Sequence, residues 1–131
     1  MRLTRLHQVA AHADDLEASR AFYQDVLGAR LLGRFEPPGL LFFDFAGVRL
    51  LLERNAAPAT LYFRVDDIHA AYTALTEHGV MFEGEPHRIH RDDEGVFDNP
   101  GTDEWMVFFR DPGGNVLALA SRTRGDGGVQ P

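Results

Sequence analysis

No cysteine occurs in the 131 residues, which excludes disulfide scaffolds, thiolate metal sites and cysteine nucleophiles at once. Serine is almost as scarce. Only Ser19 and Ser121 are present, and with Ser19 inside a predicted helix no Ser-His-Asp arrangement can be argued. No apolar run approaches the ~20 residues that a membrane-spanning helix needs. The opening stretch MRLTRLHQVAAHADD lacks the apolar core of a signal peptide. Positive charge is short as well: 13 basic against 20 acidic residues leave a net charge of −7. The basic residues are scattered rather than striped, which argues against a nucleic-acid backbone as partner. These absences predict a soluble cytoplasmic chain with neither a nucleic-acid nor a membrane partner, and the length suits one domain.

What is present says nearly the same thing twice. Residues 5–12 read as a strand, and Asp14-Asp15 then cap a helix that runs through Leu27 and stops at Gly28. Strands at 30–35, 39–45 and 48–53 follow, broken at Pro37-Pro38-Gly39 and Ala46-Gly47. The pattern restarts at TLYFRVDD: a strand over 60–65, a helix from Asp66-Asp67 to Gly79, and strands near 80–85, 104–110 and 116–121. Asp14-Asp15-Leu16 answers Asp66-Asp67-Ile68, and Phe42-Phe43 answers Phe108-Phe109. Such a long period indicates a duplicated βαβββ unit, in an α+β fold, rather than a solenoid. The modules span about 5–54 and 60–121, with a Gly-rich tail from Thr123 expected to be disordered.

The segments HADDLEASRAFYQDVLGARLLG and FRDPGGNVLALA resemble the vicinal oxygen chelate superfamily. That group holds glyoxalase I, methylmalonyl-CoA epimerase, extradiol dioxygenases, fosfomycin-resistance enzymes and bleomycin-binding proteins. The resemblance covers roughly residues 5–121. It implies two tandem βαβββ modules curled into a half-open mixed β-barrel with a cupped site. Likeness to the bleomycin-binding proteins further implies a homodimer.

Metal-dependent members place ligands on the first and last strand of each module. Here those places carry Gln8, a residue between Leu50 and Leu52, Thr60 and Ala118. Gln8 can offer a carbonyl oxygen to a hard cation, but Thr60 is a poor ligand and Ala118 is none. Glu53 lies just beyond its place, and a bulge is needed to bring it there. No cofactor is therefore expected, with a divalent metal kept as the alternative.

Alternation along the strands puts His12 with Gln8, and Tyr62 and Arg64 with Thr60. The long 86–103 connection holds His87, His90 and Phe97 and ends near Trp105, and long loops are often functional. His87 and His90 stand three apart, so joint use requires a turn. Asp92-Asp93-Glu94-Gly95 lacks the spacing of an EF-hand and reads as a solvated acidic loop.

The leading expectation is a protein that binds a small organic molecule through Gln8, His12, Glu53, Tyr62, Arg64, His90 and Trp105, with Arg64 meeting an anionic group. One rival is a metal-dependent epimerase or lyase in which Gln8, Glu53 and a loop histidine hold the cation and stabilise an enolate. The other is a metal-free enzyme of specialised metabolism using Glu53 or His90 as base.

Overall fold

The computed structural model describes residues 1–124. The chain forms two compact units, one made of Met1–Ala59 with Arg110–Val116, the other of Thr60–Phe109 with the chain from Leu117 on.

In the first unit, β1 (Gln8–His12), β2 (Arg30–Phe35), β3 (Leu40–Phe45) and β4 (Val48–Glu53) form a sheet ordered β1-β4-β3-β2. The β1–β4 pair is parallel and the others antiparallel. Helix α1 (Leu16–Arg20) starts where the Asp15 carboxylate accepts the Ala18 N–H. It widens into a π-helical stretch over Ala21–Val26, in which the Leu27 N–H reaches back five residues to the Phe22 carbonyl. Gly28 ends it at φ 74°, a conformation that costs glycine little. Ala11, Tyr23, Leu41, Phe43, Leu50 and Leu52 are buried and form the core of this unit.

In the second unit, β5 (Thr60–Arg64), β6 (His87–Arg91), β7 (Thr102–Arg110) and β8 (Val116–Arg124) form a sheet ordered β5-β8-β7-β6. Helix α2 (Ile68–Glu77) begins at Asp67, whose carboxylate accepts the His69 and Ala70 N–H groups. Val107, Phe109, Leu117 and Ile68 are buried here.

The repeat predicted from sequence is present in the bonding. The Ala13 N–H donates to the Glu53 carbonyl at 3.1 Å, and the Val65 N–H, fifty-two residues on, donates to the Ala120 carbonyl at 2.9 Å. Glu53 is thus the counterpart of Ala120, and Leu51 of Ala118.

One strand is elsewhere than expected. Between 80 and 85 only Phe82 makes a bridge, to Phe109, and its ring packs between Tyr72 and Phe109. The β6 strand lies at His87–Arg91 instead. At the sheet edge it needs no apolar alternation, so the polar sequence HRIHR is tolerated there. The other strand ends differ by small shifts, and β8 runs on to Arg124, past the expected end at 121. The remainder of the Gly-rich tail, 125–131, lies outside the described residues.

The turn Asp111-Pro112-Gly113-Gly114-Asn115 fastens the first unit. Asn115 is fully buried. Its side-chain oxygen accepts from the His12 N–H at 3.1 Å and the Ala59 N–H at 2.8 Å, and its amide donates to the His12 carbonyl at 2.7 Å. The Asp111 carboxylate accepts from the Tyr23 hydroxyl at 2.6 Å and from both Asn115 nitrogens at 2.8 Å. Burial first, then the Asp111 charge, pushes the Tyr23 pKa far up, so the phenol stays a donor.

Candidate functional site

On the first sheet, register and alternation place Gln8, Ala10 and His12 on one face, beside Arg49, Leu51 and Glu53 of β4 and then Asp44, Phe42 and Leu40 of β3. Both ladders through β4 run without a register shift. No bulge moves Glu53 inward, and Leu51 occupies the inner place. Gln8 is not free either: its side-chain oxygen accepts from Arg49 Nε at 3.0 Å.

His12 shares this face but its ring is engaged at both nitrogens. Nδ1 lies 3.0 Å from the Ala56 carbonyl oxygen and Nε2 lies 2.7 Å from the Asp14 carboxylate. Both partners can only accept, so the form that satisfies both is the imidazolium. Its pKa is raised above the ordinary 6.5, chiefly by the Asp14 hydrogen bond and then by the Ala56 carbonyl, with burial opposing. A raised folded-state pKa stabilises the protein fully below the ordinary value, and the gain is lost as pH rises through the raised one. The His12 ring signal followed by NMR should therefore titrate above 6.5. The stability advantage over His12→Gln should be full below the ordinary value and shrink as pH rises through the raised one. A midpoint at or below the ordinary value would refute the imidazolium assignment.

On the second sheet, one face carries Thr60, Tyr62 and Arg64 of β5, Ala118, Ala120 and Arg122 of β8, and Glu104, Met106 and Phe108 of β7. A hollow of about 170 Å³ on this unit is lined by Tyr62, Arg64, Glu104, Met106, Ala120, Ser121 and Arg122. The Tyr62 ring stands edge-on to Phe108 at 6.3 Å. Arg122 and His90 flank Glu104, each at 3.9 Å. Arg64 is exposed and meets no carboxylate within ion-pair distance among the described residues.

The bulge in β6 answers the spacing of the two histidines. His87 pairs with Met106 and His90 with Glu104, with a shift between Arg88 and His90, so residues three apart reach one face. The His87 ring turns to the Glu85 carbonyl at 3.1 Å, whereas His90 packs on Phe97 at 5.4 Å. Phe97 also lies under the Arg122 guanidinium, 5.8 Å away, and its carbonyl accepts from that side chain at 3.4 Å. Trp105 is not with them. It faces α2, its ring 5.6 Å from His69 and its indole N–H on the Thr123 hydroxyl at 3.1 Å. Among the described residues, no three His, Asp or Glu side chains gather as a metal cluster.

The solvated acidic loop expected at 92–95 is corrected at Asp92. That residue is 6% exposed, and its carboxylate accepts from the N–H groups of Val96, Phe97 and Asn99 at 2.7, 3.0 and 3.3 Å. Burial works to raise its pKa, but these donors and the His90 charge outweigh it, and the net shift is downward. With β6 formed, the connection shortens to residues 92–101, and Asp92 folds it so that Phe97 meets His90 and Arg122. Sequence reading also missed Arg49, Arg122 and Met106. Arg122 was discoverable as the next inward residue after Ala120, had β8 been continued past 121.

The chain belongs to the Glyoxalase/Bleomycin resistance protein/Dioxygenase superfamily, which its sequence matches over residues 5–119. It is 29% identical to the uncharacterized protein YaeR of Escherichia coli (strain K12) over 134 residues, 89% of this chain and 95% of that one. Among solved structures it is similar to lactoylglutathione lyase from Agrobacterium tumefaciens, with 27% identity, a TM-score of 0.68, and 91% and 94% of the two chains covered. It is also similar to TnmS3, an antibiotic binding protein from Streptomyces sp. CB03234, with 25% identity, a TM-score of 0.68, and coverage of 91% and 96%. The α+β fold of two βαβββ modules is that of this superfamily. Among the described residues, no helix is long and apolar enough to cross a membrane.

Proposed function

We propose that this member binds a small organic anion in the hollow of the second sheet and does so without the superfamily's divalent metal. The observation that carries the reading is Arg64, a permanently charged side chain that meets no carboxylate within ion-pair distance among the described residues. It lines a hollow shared with Tyr62, Met106, Ala120, Ser121, Arg122 and Glu104, whose carboxylate is flanked by Arg122 and His90. Guanidinium groups recognise carboxylates through paired, charge-assisted hydrogen bonds, and the aromatic and thioether neighbours suit an apolar body. Similarity to an antibiotic binding protein supports binding as the activity. The metal places support the second half of the proposal. Leu51 and Ala118 have no donor atom, Thr60 has a poor one, and the Gln8 oxygen is taken by Arg49. This donor set does not fit the three protein ligands of a catalytic divalent site. A homodimer in the cytoplasm belongs to the same proposal, its assembly checked by sedimentation.

The test titrates labelled protein with benzoate and with its neutral amide, followed by the backbone signals of Tyr62, Arg64, Ala120 and Arg122. Benzoate should shift them saturably and benzamide should not, and Arg64→Ala should weaken binding at least about tenfold. An unchanged affinity in Arg64→Ala would dispose of the anion assignment. One metal per chain after loading with Mn²⁺, Co²⁺, Ni²⁺ or Zn²⁺, lost in Gln8→Ala, would overturn the metal-free reading.

A further inference from the structure

The guanidinium of Arg49 stands on the open face of the first sheet, held only by neutral groups. Nε donates to the Gln8 side-chain oxygen at 3.0 Å, Nη2 lies 3.1 Å from His7 Nε2, and Phe42 lies beneath at 5.6 Å from the ring centroid. Arginine can only donate, so His7 Nε2 must be the lone-pair nitrogen and the ring is held in its Nδ1–H tautomer. These contacts orient the group while leaving its charge uncompensated. The register neighbour Asp44 is occupied elsewhere: it accepts from the Gly47 N–H at 3.1 Å and sits 3.6 Å from Arg30. Glu53 is four residues along the strand, roughly 13 Å away, and among the described residues no carboxylate comes within ion-pair distance of Arg49. The Nε–Nη2 edge is spent on Gln8 and His7. The outer edge, Nη1 with the second hydrogen of Nη2, has no acceptor there.

We propose that this outer edge of Arg49 is an oxyanion subsite, which takes a carboxylate or phosphoryl group of a small organic ligand. Three features point the same way. The charge is permanent, since a guanidinium does not deprotonate in proteins. Two neutral acceptors and an aromatic ring fix the plane of the fork, so little side-chain freedom remains to be lost on binding. The free edge has the geometry for two parallel N–H···O bonds, the arrangement in which arginine binds planar oxyanions most strongly. The subsite also gives Gln8 a role: its oxygen aims the cation. Arg49 then supplies, as a fixed side chain, a positive charge directly beside Gln8, where the family resemblance implies a metal ligand. The subsite is independent of the Arg64 hollow and does not require it.

The experiment follows the Arg49 Nε–H and Gln8 side-chain amide signals of the labelled full chain during titration with benzoate, phenylphosphonate and benzamide. At least one of the two anions should shift both signals saturably, and the tighter one tells a planar from a tetrahedral oxyanion. Benzamide should leave both signals in place. Arg49→Met should weaken the anion response at Gln8 at least about tenfold, and Arg49→Lys, which keeps the charge but not the fork, should retain part of it. Arg64→Ala should leave the Arg49 response unchanged. The proposal is overturned if neither anion moves the signals, if benzamide moves them equally, or if Arg49→Met responds as the parent does. It is also overturned if Arg64→Ala abolishes the response, which would make the Arg49 shift an echo of the other hollow. Should Arg49→Met fail to fold, Arg49→Lys decides, since full retention of affinity there would remove the fork from the argument.

Discussion

Asn115→Ala should cost about 3–5 kcal/mol of folding stability, because one side chain satisfies three backbone groups. The truncation orphans the His12 N–H, the His12 carbonyl and the Ala59 N–H, and an unsatisfied group in a buried setting costs roughly 1–3 kcal/mol. The Asp111 carboxylate loses one of its donors as well. Partial access of water to the His12 backbone keeps the total below the simple sum. Urea unfolding should show a lower midpoint with an unchanged slope. Asn115→Asp is the informative companion. It keeps the acceptor for the two N–H groups, but loses the donor to His12 and sets a second negative charge beside Asp111, so it should not rescue the protein. A loss under about 1 kcal/mol in Asn115→Ala would show that the turn is docked by its backbone alone.

The fold was legible wherever the chain repeats itself. Asp15 and Asp67 cap helices as their position before an apolar periodic stretch requires, and Gly28 and Gly79 end them at positive φ. Strands β2 to β5 carry enough apolar alternation to be bounded within a residue or two. What escaped was polar. Strand β6 is an edge strand with one half-buried residue, so nothing in its composition separates it from a loop. The last residues of β8, from Ser121 to Arg124, are polar too, although β8 lies within the sheet.

The candidate site was legible as parity and illegible as register. Alternation alone sets Tyr62 and Arg64 on one face, and it also sets Trp105 with Val107 and Phe109, away from Glu104 and Met106. Whether Leu51 or Glu53 holds the inner place depends on which carbonyl the Ala13 N–H finds across the sheet, a pairing that no residue type announces. Arg49 escaped for that reason too. Its importance comes from being opposite Gln8 rather than from any motif around it. Asp92 shows the remaining limit. In the run Asp92-Asp93-Glu94 three acids look alike, and only the folded loop decides which one turns inward to collect three N–H groups.

Gly113→Ala and Gly114→Ala should separate two reasons for a glycine pair, and the first should be the more damaging. A Cβ at Gly113 would press onto the carbonyl oxygen of His12 and come within 3.2 Å of the Ala13 Cα, both backbone atoms that cannot swing aside. Gly114 has open space around it but sits at φ 85°, where an L-residue is strained by roughly 1–2 kcal/mol. Relief at Gly113 requires the turn to back away from β1, and the His12 oxygen that it would back away from is the acceptor of the Asn115 amide. The clash therefore carries the loss of a hydrogen bond with it, and about 2–3 kcal/mol is expected, against about 1 kcal/mol for Gly114→Ala. Hydrogen exchange gives a second reading. The amides of His12 and Ala59 should lose protection in Gly113→Ala and keep most of it in Gly114→Ala. Equal costs for the two substitutions would mean that the turn yields at 113 without losing its hold on β1, and that the close approach there is not what sets the larger cost.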